Sequence, residues 1–160
     1  MRVLIQRVCR GSCTVDGRVT GAIELGLVAL VGATHADRAA DADWLARKVA
    51  GLRVFADERG HMNRDVREVD GAVLVIPQFT LYGSARRGRR PDFMAAARPE
   101  IAEPLIERFG VTLGAQGVRV AHGVFRAHMA IELVNDGPVT VLLESPSEAE
   151  GPSAAAAEGG

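Results

Sequence analysis

The sequence has few cysteines and no long apolar run, so it lacks the features of disulfide-stabilised or membrane-spanning proteins. Its two cysteines, Cys9 and Cys13, lie in an apolar, strand-like segment. A disulfide within one extended strand is geometrically awkward, although a hairpin could bring the two residues closer. Two cysteines without histidines at zinc-finger spacing indicate zinc only weakly. We therefore expect buried free thiols in a reducing cytoplasm.

No uninterrupted apolar stretch reaches the length of a membrane span. The apolar run within residues 1–7 is too short for a signal peptide. We expect a cytoplasmic protein without a membrane partner.

The common catalytic motifs are absent as well. The chain has no nucleophile elbow, Walker loop, dinucleotide-binding fingerprint or His-Glu-x-x-His helix. His122 and His128 are near each other, but Gly123 interrupts the strand and no third ligand follows, which favours surface or structural roles. Thr80 would be a nucleophile only if a base reached it, and no sequence neighbour is a base. We expect neither a metal nor a cofactor.

The net charge of −1 argues against nucleic acid covering the whole surface, but it allows a local basic patch. Nearly all of the positive charge is arginine, because Lys48 is the only lysine. Guanidinium groups suit phosphate recognition. A biased genomic base composition would also produce this excess, together with the many alanines, and that explanation is favoured.

A chain of 160 residues with 48% hydrophobic content fits one globular domain. Alternation predicts a strand at residues 2–8, and Asp16-Gly17 predicts a hairpin turn. The apolar runs at 25–32 and 72–76 predict strands buried on both faces. Hairpins outnumber crossovers, so we expect an α+β fold with a mixed, mostly antiparallel sheet and helices packed on one side.

Helical spacing predicts a first helix with Asp37 as its cap and Gly51 near its end. A short helix is predicted to begin within residues 91–97, and a second full helix is predicted from about 99 to 109. Pro104 must then fall in the first turn or kink that helix.

The composition changes near the end of the chain, where Pro, Ser, Glu, Ala and Gly replace the larger aliphatic residues. Such a segment cannot bury enough apolar surface to offset the entropy lost on ordering. We expect one domain over residues 1–144 and a disordered tail over 145–160.

The segment Asn135-Asp136-Gly137-Pro138 lies between two apolar runs and is typical of a tight turn between two strands. Glycine permits positive φ, and the peptide before proline can be cis or trans. The isomer stays open at this point.

A second stretch, residues 77–82, ends a buried strand. Strand ends that turn away from a sheet expose backbone N–H groups that can form an oxyanion hole. An arginine-rich loop follows, and such loops are usually only solvated. Its closeness to a possible oxyanion site makes phosphate binding about equally favoured. The arginines concerned are Arg86, Arg87, Arg89 and Arg90.

The stretches Gln78-Phe79-Thr80-Leu81 and Asn135-Asp136-Gly137-Pro138-Val139-Thr140 resemble the two signature motifs of the D-aminoacyl-tRNA deacylase family. These motifs are Ser-Gln-Phe-Thr-Leu and Asn-x-Gly-Pro-Val-Thr. The similarity runs from Met1 to about Glu144 and includes Arg7 and the Asp16-Gly17 hairpin. Either motif alone would be weak, whereas both together with matching spacing are specific.

The resemblance implies a fold with two β layers and one helical layer, and hydrolysis of the ester between tRNA and a D-amino acid or glycine. It implies catalytic roles for Gln78, Phe79 and Thr80, and a pocket that includes Phe125 and Met129. It also implies contacts of the arginine loop with the 3′ acceptor end of aminoacyl-tRNA.

The resemblance further implies a homodimer in which a cis Gly137-Pro138 peptide enters the partner's site. There its carbonyl groups reject an L side chain, while Arg7 holds the loop.

The sequence departs from the family pattern at three positions. Pro77 replaces the usual serine and removes a backbone N–H, so the oxyanion role would fall to Phe79 and Thr80. Arg126 stands where the family tends to have glycine, and His128 where it tends to have aspartate. Two alternatives stay open: a binder of RNA 3′ ends without turnover, and a metal hydrolase that uses the two C-terminal histidines.

Overall fold

The computed structural model describes residues 1–146. Within them the strands are β1 (Arg2–Val15), β2 (Arg18–Ile23), β3 (Gly26–Gly32), β4 (Phe55–Ala56), β5 (Met62–Arg64), β6 (Ala72–Pro77), β7 (Arg119–His122) and β8 (Ala130–Glu144). The helices are α1 (Ala39–Ala50) and α2 (Pro99–Ala115), and a 3-10 turn spans Phe79–Tyr82. The tail predicted over 145–160 lies outside the described residues except for its first two positions.

The main sheet has the strand order β2-β1-β3-β6-β7, and β8 pairs with the remaining edge of β1. β1 is antiparallel to β2, β3 and β8, whereas β6 is parallel to both β3 and β7. The predicted α+β fold with a mixed, mostly antiparallel sheet is therefore confirmed.

Alternate residues of β6 face two separate cores, as expected of a strand buried on both faces. Val73 and Val75 pack with α1, α2 and the first half of β1. Leu74 and Ile76 pack with the second half of β1, with β2, and with the first half of β8. The helices thus cover one face of the central strands, and the curled outer strands cover the other face.

The predicted hairpin at residues 135–138 is wrong. β8 is one strand whose two halves both pair with β1, with Asn135 opposite Val8 and Thr140 opposite Gln6. Residues 136–139 therefore leave the ladder as a bulge. A hairpin and a bulge use the same glycine, proline and Asx residues, so turn chemistry alone does not distinguish them.

Several predicted boundaries also differ. β1 continues from the predicted 2–8 to Val15, and of its two free thiols Cys13 is buried but Cys9 is exposed. The cap of α1 is Arg38, because Asp37 instead accepts a hydrogen bond from the Thr34 amide at 2.7 Å.

No helix forms at residues 91–97, because backbone groups there pair elsewhere. Asp92 exchanges two hydrogen bonds with Ser84, and the Ala97 amide donates to the Ala33 carbonyl. α2 extends beyond the predicted end at Phe109, and Pro104 lies inside it. In the described part of the chain, neither helix has the length and apolar character to cross a bilayer.

Candidate active site

The end of β6 and the 3-10 turn after it form one side of the candidate site. The Gln78 amide donates to the Val31 carbonyl at 2.7 Å and completes the ladder with β3. The first hydrogen bond of the turn runs from the Leu81 amide to the Gln78 carbonyl at 3.3 Å. The amides of Phe79 and Thr80 precede that bond, and no acceptor within residues 1–146 takes them. The turn therefore presents two adjacent N–H donors.

Pro77 fits this place because β7 has already ended. In a parallel ladder, successive amides point to opposite neighbours. The Gln78 amide points toward β3, so an amide at position 77 would point toward β7, which ends at His122 opposite Val75. The missing N–H of Pro77 thus removes no ladder bond, but it leaves one donor fewer on that side of the site.

A cavity of about 620 Å³ adjoins the turn, which is in the usual range for small-molecule sites. Its walls are mainly apolar residues from β3, β6, α2 and the segment 125–131, and they include Phe125 and Met129, both predicted to line a pocket. Phe79 closes one side and meets Phe93 edge to face, with ring centroids 5.1 Å apart. The polar side chains in the wall are those of Gln78, Arg126 and His128.

Thr80 has no base beside it. Its hydroxyl accepts a hydrogen bond from the Gln78 amide nitrogen Nε2, and no other hydroxyl partner lies within the described residues. A hydroxyl without a base is a poor nucleophile, so the site offers backbone donors and positioning rather than a Ser-His type of relay.

The bulge in β8 is held by side chains of β1 and by its own flanks. The Arg7 guanidinium Nε lies 3.2 Å from both the carbonyl oxygen and the carboxylate of Asp136. The Asn135 side chain donates to the Val139 carbonyl at 3.1 Å across the base of the bulge. The Gly137-Pro138 peptide is cis, and both residues are exposed.

The structure does not bring this bulge to the cavity of the same chain. Neither Gly137 nor Pro138 lines the cavity. Arg7 is opposite Leu27 near the start of β3, whereas Pro77 is opposite Val31 near its end. Four residues of strand at about 3.3 Å each separate the two levels by roughly 13 Å.

The four arginines of the basic loop are exposed and project from the base formed by Ser84 and Asp92. Gly88 has φ 70° and supplies the turn between the two arginine pairs. None of the four forms an ion pair with another described residue. Because Asp92 directly precedes Phe93 of the cavity wall, the loop lies beside the cavity.

The two C-terminal histidines have different surroundings. The His122 ring packs closely on Gly110 of α2, where an added Cβ would come within 2.4 Å of Cε1. His128 lines the cavity. Within residues 1–146, no three His, Cys, Asp or Glu side chains lie together in a way that could hold a metal ion.

Sequence reasoning missed the contribution of Phe93 and of Ala102 and Ile106 from α2 to the cavity wall. The amphipathic pattern of α2 marks Ile106 as inward-facing, but it does not tell whether an inward side chain fills a core or borders a cavity.

Fold and site together define a class: an α+β domain with two backbone donors beside an apolar cavity, and without a nucleophile-base pair at that turn. A sequence model described as D-Tyr-tRNA(Tyr) deacylase matches residues 4–144. The chain belongs to this family.

Two curated relatives support the assignment, both named D-aminoacyl-tRNA deacylase. The protein from Koribacter versatilis is 55% identical over 148 residues, which are 92% of this chain and 99% of the relative. The protein from Symbiobacterium thermophilum is 57% identical over 145 residues, which are 91% of this chain and 96% of the relative.

Solved structures agree with the fold. A c-Myc DNA unwinding element binding protein superposes with a TM-score of 0.85 and 37% identity, over 92% of this chain and all of that one. A probable eukaryotic D-amino acid tRNA deacylase superposes with a TM-score of 0.78 over 89% of this chain and 98% of that one. At 15% identity, the second likeness concerns the fold alone.

Proposed function

We propose that this protein acts as a cytoplasmic homodimer that proofreads tRNA, removing D-amino acids and also glycine mischarged on the alanine acceptor. The hydrolysis of D-aminoacyl-tRNA itself follows from family membership, since relatives more than half identical over nearly their whole length are named for it. The observation that carries the mechanism is the pair of free amides beside the apolar cavity.

Catalysis requires little beyond positioning, because an aminoacyl ester is already activated. The terminal nucleoside enters the cavity and the ester carbonyl points at the amides of Phe79 and Thr80. Water adds to the carbonyl carbon, and these amides bind the oxyanion that forms. The ribose hydroxyl of the substrate assists the attack. The C–O bond to the ribose then breaks, and the ribose oxygen takes up a proton.

Chirality is read by the bulge of a partner protomer. The bulge of the same chain lies roughly 13 Å of strand away from the level of the cavity. A second copy can bring its exposed Gly137-Pro138 carbonyls to the ester, as expected of a two-fold dimer. An L side chain would meet these carbonyls, whereas a D side chain or a hydrogen would point out of the pocket.

The arginine loop binds the acceptor end of the tRNA. Four exposed guanidinium groups beside the cavity suit phosphates along the RNA backbone. Binding through such contacts weakens as salt rises, because counterions are released.

The experiment that tests the proposal is deacylation of D-Tyr-tRNA beside L-Tyr-tRNA with a chelator present. Rapid loss of the D ester alone supports the reaction class, the chirality and metal independence together. Sensitivity to the chelator would favour a metal hydrolase that uses His122 and His128.

Survival of both esters, with tight binding of an aminoacyl-tRNA mimic, would instead favour an RNA-end binder. The donor lost at Pro77 would then be its physical explanation. Hydrolysis of Gly-tRNA charged on the alanine acceptor tests the glycine part separately.

A further inference from the structure

Arg126 is an exposed cation in the wall of a mostly apolar cavity. It makes no hydrogen bond, ion pair or ring contact with any residue in the range 1–146. Packing therefore gives no reason for a guanidinium group at this place. An unpaired arginine at a cavity mouth is positioned to bind an anion that enters from outside.

The backbone at Arg126 supports a functional reason. Its φ is 62°, in the left-handed region that glycine adopts readily and that side chains with a Cβ disfavour. Phe125 packs against the main core on one side of Arg126, and on the other side the Ala127 amide donates to the Val124 carbonyl at 3.2 Å, so the segment is held on both sides. A residue kept in a disfavoured conformation beside a site is a reason to look for function there.

His128 is a second polar side chain beside Arg126 in the cavity wall. It is two residues along, it is exposed, and it lines the same cavity. Its ring nitrogens have no hydrogen-bond partner among the described residues. Arg126 and His128 therefore present donors at one part of a mouth whose other polar side chain is Gln78.

We propose that Arg126, assisted by His128, binds the 5′-phosphate group of the nucleoside that occupies the cavity. This inference rests on the proposed function, in which the terminal nucleoside of tRNA enters an apolar cavity and its ester reaches the 3-10 turn. The phosphate of that nucleoside then leaves the cavity at its mouth, where Arg126 offers a planar, bidentate donor. The basic loop, by contrast, contacts phosphates further along the RNA.

The test compares three D-tyrosyl esters: that of tRNA, that of adenosine 5′-phosphate and that of adenosine. Wild-type protein is expected to favour the phosphorylated nucleoside over adenosine. Arg126→Gly should lower kcat/KM for the phosphorylated ester about tenfold or more, mainly through KM, because a charge-assisted hydrogen bond is lost. It should leave the adenosine ester unchanged, and Arg126→Lys should recover part of the loss.

Thermal unfolding separates this role from a structural one. Arg126→Gly should melt at the same or a higher temperature than wild type, because glycine suits φ 62°. Asp16→Gly is the matched control: Asp16 has φ 48° in the β1–β2 turn, so its replacement should affect melting in the same way and leave every kcat/KM unchanged.

Three outcomes would overturn the inference. An equal loss on the adenosine ester would mean that Arg126 shapes the cavity. An unchanged preference for the phosphorylated ester would mean that the phosphate is bound elsewhere. With D-Asp-tRNA assayed as a fourth ester, a loss confined to that substrate would mean that Arg126 reads a carboxylate of the amino acid. Failure of wild-type protein on every D ester would instead count against the proposed function.

Discussion

At the scale of single residues, Thr80 offers a way to distinguish catalysis by a backbone amide from catalysis by a side-chain hydroxyl. Its amide belongs to the free pair at the 3-10 turn, and its hydroxyl is held by the Gln78 side chain. The two contributions can be separated, because a side-chain substitution leaves the amide in place.

We expect Thr80→Ala to reduce kcat for D-Tyr-tRNA by less than about tenfold, since losing a true oxyanion donor costs about 10²–10³ in rate. Thr80→Val, which keeps the shape without the hydroxyl, should behave alike. Single-turnover kinetics would measure both. A loss beyond about 10³ in both variants would make the hydroxyl a primary catalytic group.

Gly137 is constrained by its backbone and by its neighbour. Its φ is 117°, and an added Cβ would lie 2.6 Å from Nη2 of Arg7. Gly137→Ala should therefore displace the bulge and reduce both activity and the preference for D over L esters. Rates on both esters and urea unfolding would measure these effects.

Gly17→Ala is the control for Gly137→Ala. Gly17 has φ 75° but no atom within 4 Å of an added Cβ. Gly17→Ala should lower the free energy of unfolding only by the roughly 1–2 kcal/mol that a residue with a Cβ costs in the left-handed region. It should keep the preference for D over L esters. Equal behaviour of the two variants would refute a special role for the bulge.

At the scale of elements, the 3-10 turn is anchored to β1. Arg2 donates to the Leu81 carbonyl at 3.0 Å, its guanidinium lies 4.6 Å from the centre of the Tyr82 ring, and it pairs with Glu144. Arg2 touches none of the reacting atoms, so it is a positioning residue.

Arg2→Ala should lower kcat several-fold with little change in KM, because the turn that presents the amides becomes less well held. The lost contacts should cost about 1–2 kcal/mol of stability. Arg2→Lys, which keeps the cation over the ring, should recover part of kcat. Steady-state kinetics would show this split, and an effect on KM alone would contradict it.

The contact between α1 and α2 is expected to depend on pH, because it includes a hydrogen-bonded carboxylate. Arg108 donates two hydrogen bonds to Asp43, at 2.8 and 2.6 Å, and the Thr112 hydroxyl donates another at 2.8 Å. The bonds from Arg108, followed by that from Thr112, hold the pKa of the Asp43 carboxyl below its usual value.

A lowered folded-state pKa contributes stability above the unfolded pKa of about 3.9, and that contribution is lost as pH falls through the folded value. The free energy of unfolding should therefore decline in acid less steeply for Asp43→Asn than for wild type. Denaturant titrations from neutral pH to about pH 2 would measure this, and parallel curves would contradict it.

At the scale of the whole molecule, the proposed site is shared between two chains, and mixed dimers test this directly. Ala127→Trp fills the cavity of one protomer, and Gly137→Ala displaces the bulge of the other. The Ala127→Trp homodimer should be inactive, whereas the Gly137→Ala homodimer should have reduced activity and a reduced preference for D over L esters. A mixed dimer isolated through two different tags should recover about half of wild-type activity, because one of its two sites then has both native parts.

If each bulge served the cavity of its own chain, every site of the mixed dimer would be defective, and the wild-type preference for D over L esters would not return. Sedimentation of the two homodimers provides the control that both variants still assemble. A monomeric wild-type protein would refute the shared site outright.

Much of this was predictable from local pattern. The continuous apolar runs of β3 and β6 predicted strands buried on both faces, because their apolar side chains point to both sides of the sheet and must be covered by other elements. The backbone donors at Phe79 and Thr80 followed from a strand that ends at a proline. The basic loop was predicted beside them because it follows them directly in the sequence, whereas Phe125 and Met129 were predicted as pocket residues only from the resemblance to the deacylase family.

Other features depended on partners distant in the chain. Whether residues 136–139 form a hairpin or a bulge was decided by β1, which pairs with both sides of that segment. The absence of a helix at 91–97 was decided by Ser84 and Ala33, which take the backbone bonds that a helix would need. The extension of α2 followed from burial of Leu113 despite glycines nearby.

The sequence by itself determined the family and the sheet class, because these depend on residue types at short spacing. Only the tertiary structure decided that the bulge and the cavity of one chain are apart, and that Arg126, at the cavity mouth, has no partner among residues 1–146. Both depend on strand register and long-range packing, which bring together residues that no local pattern connects.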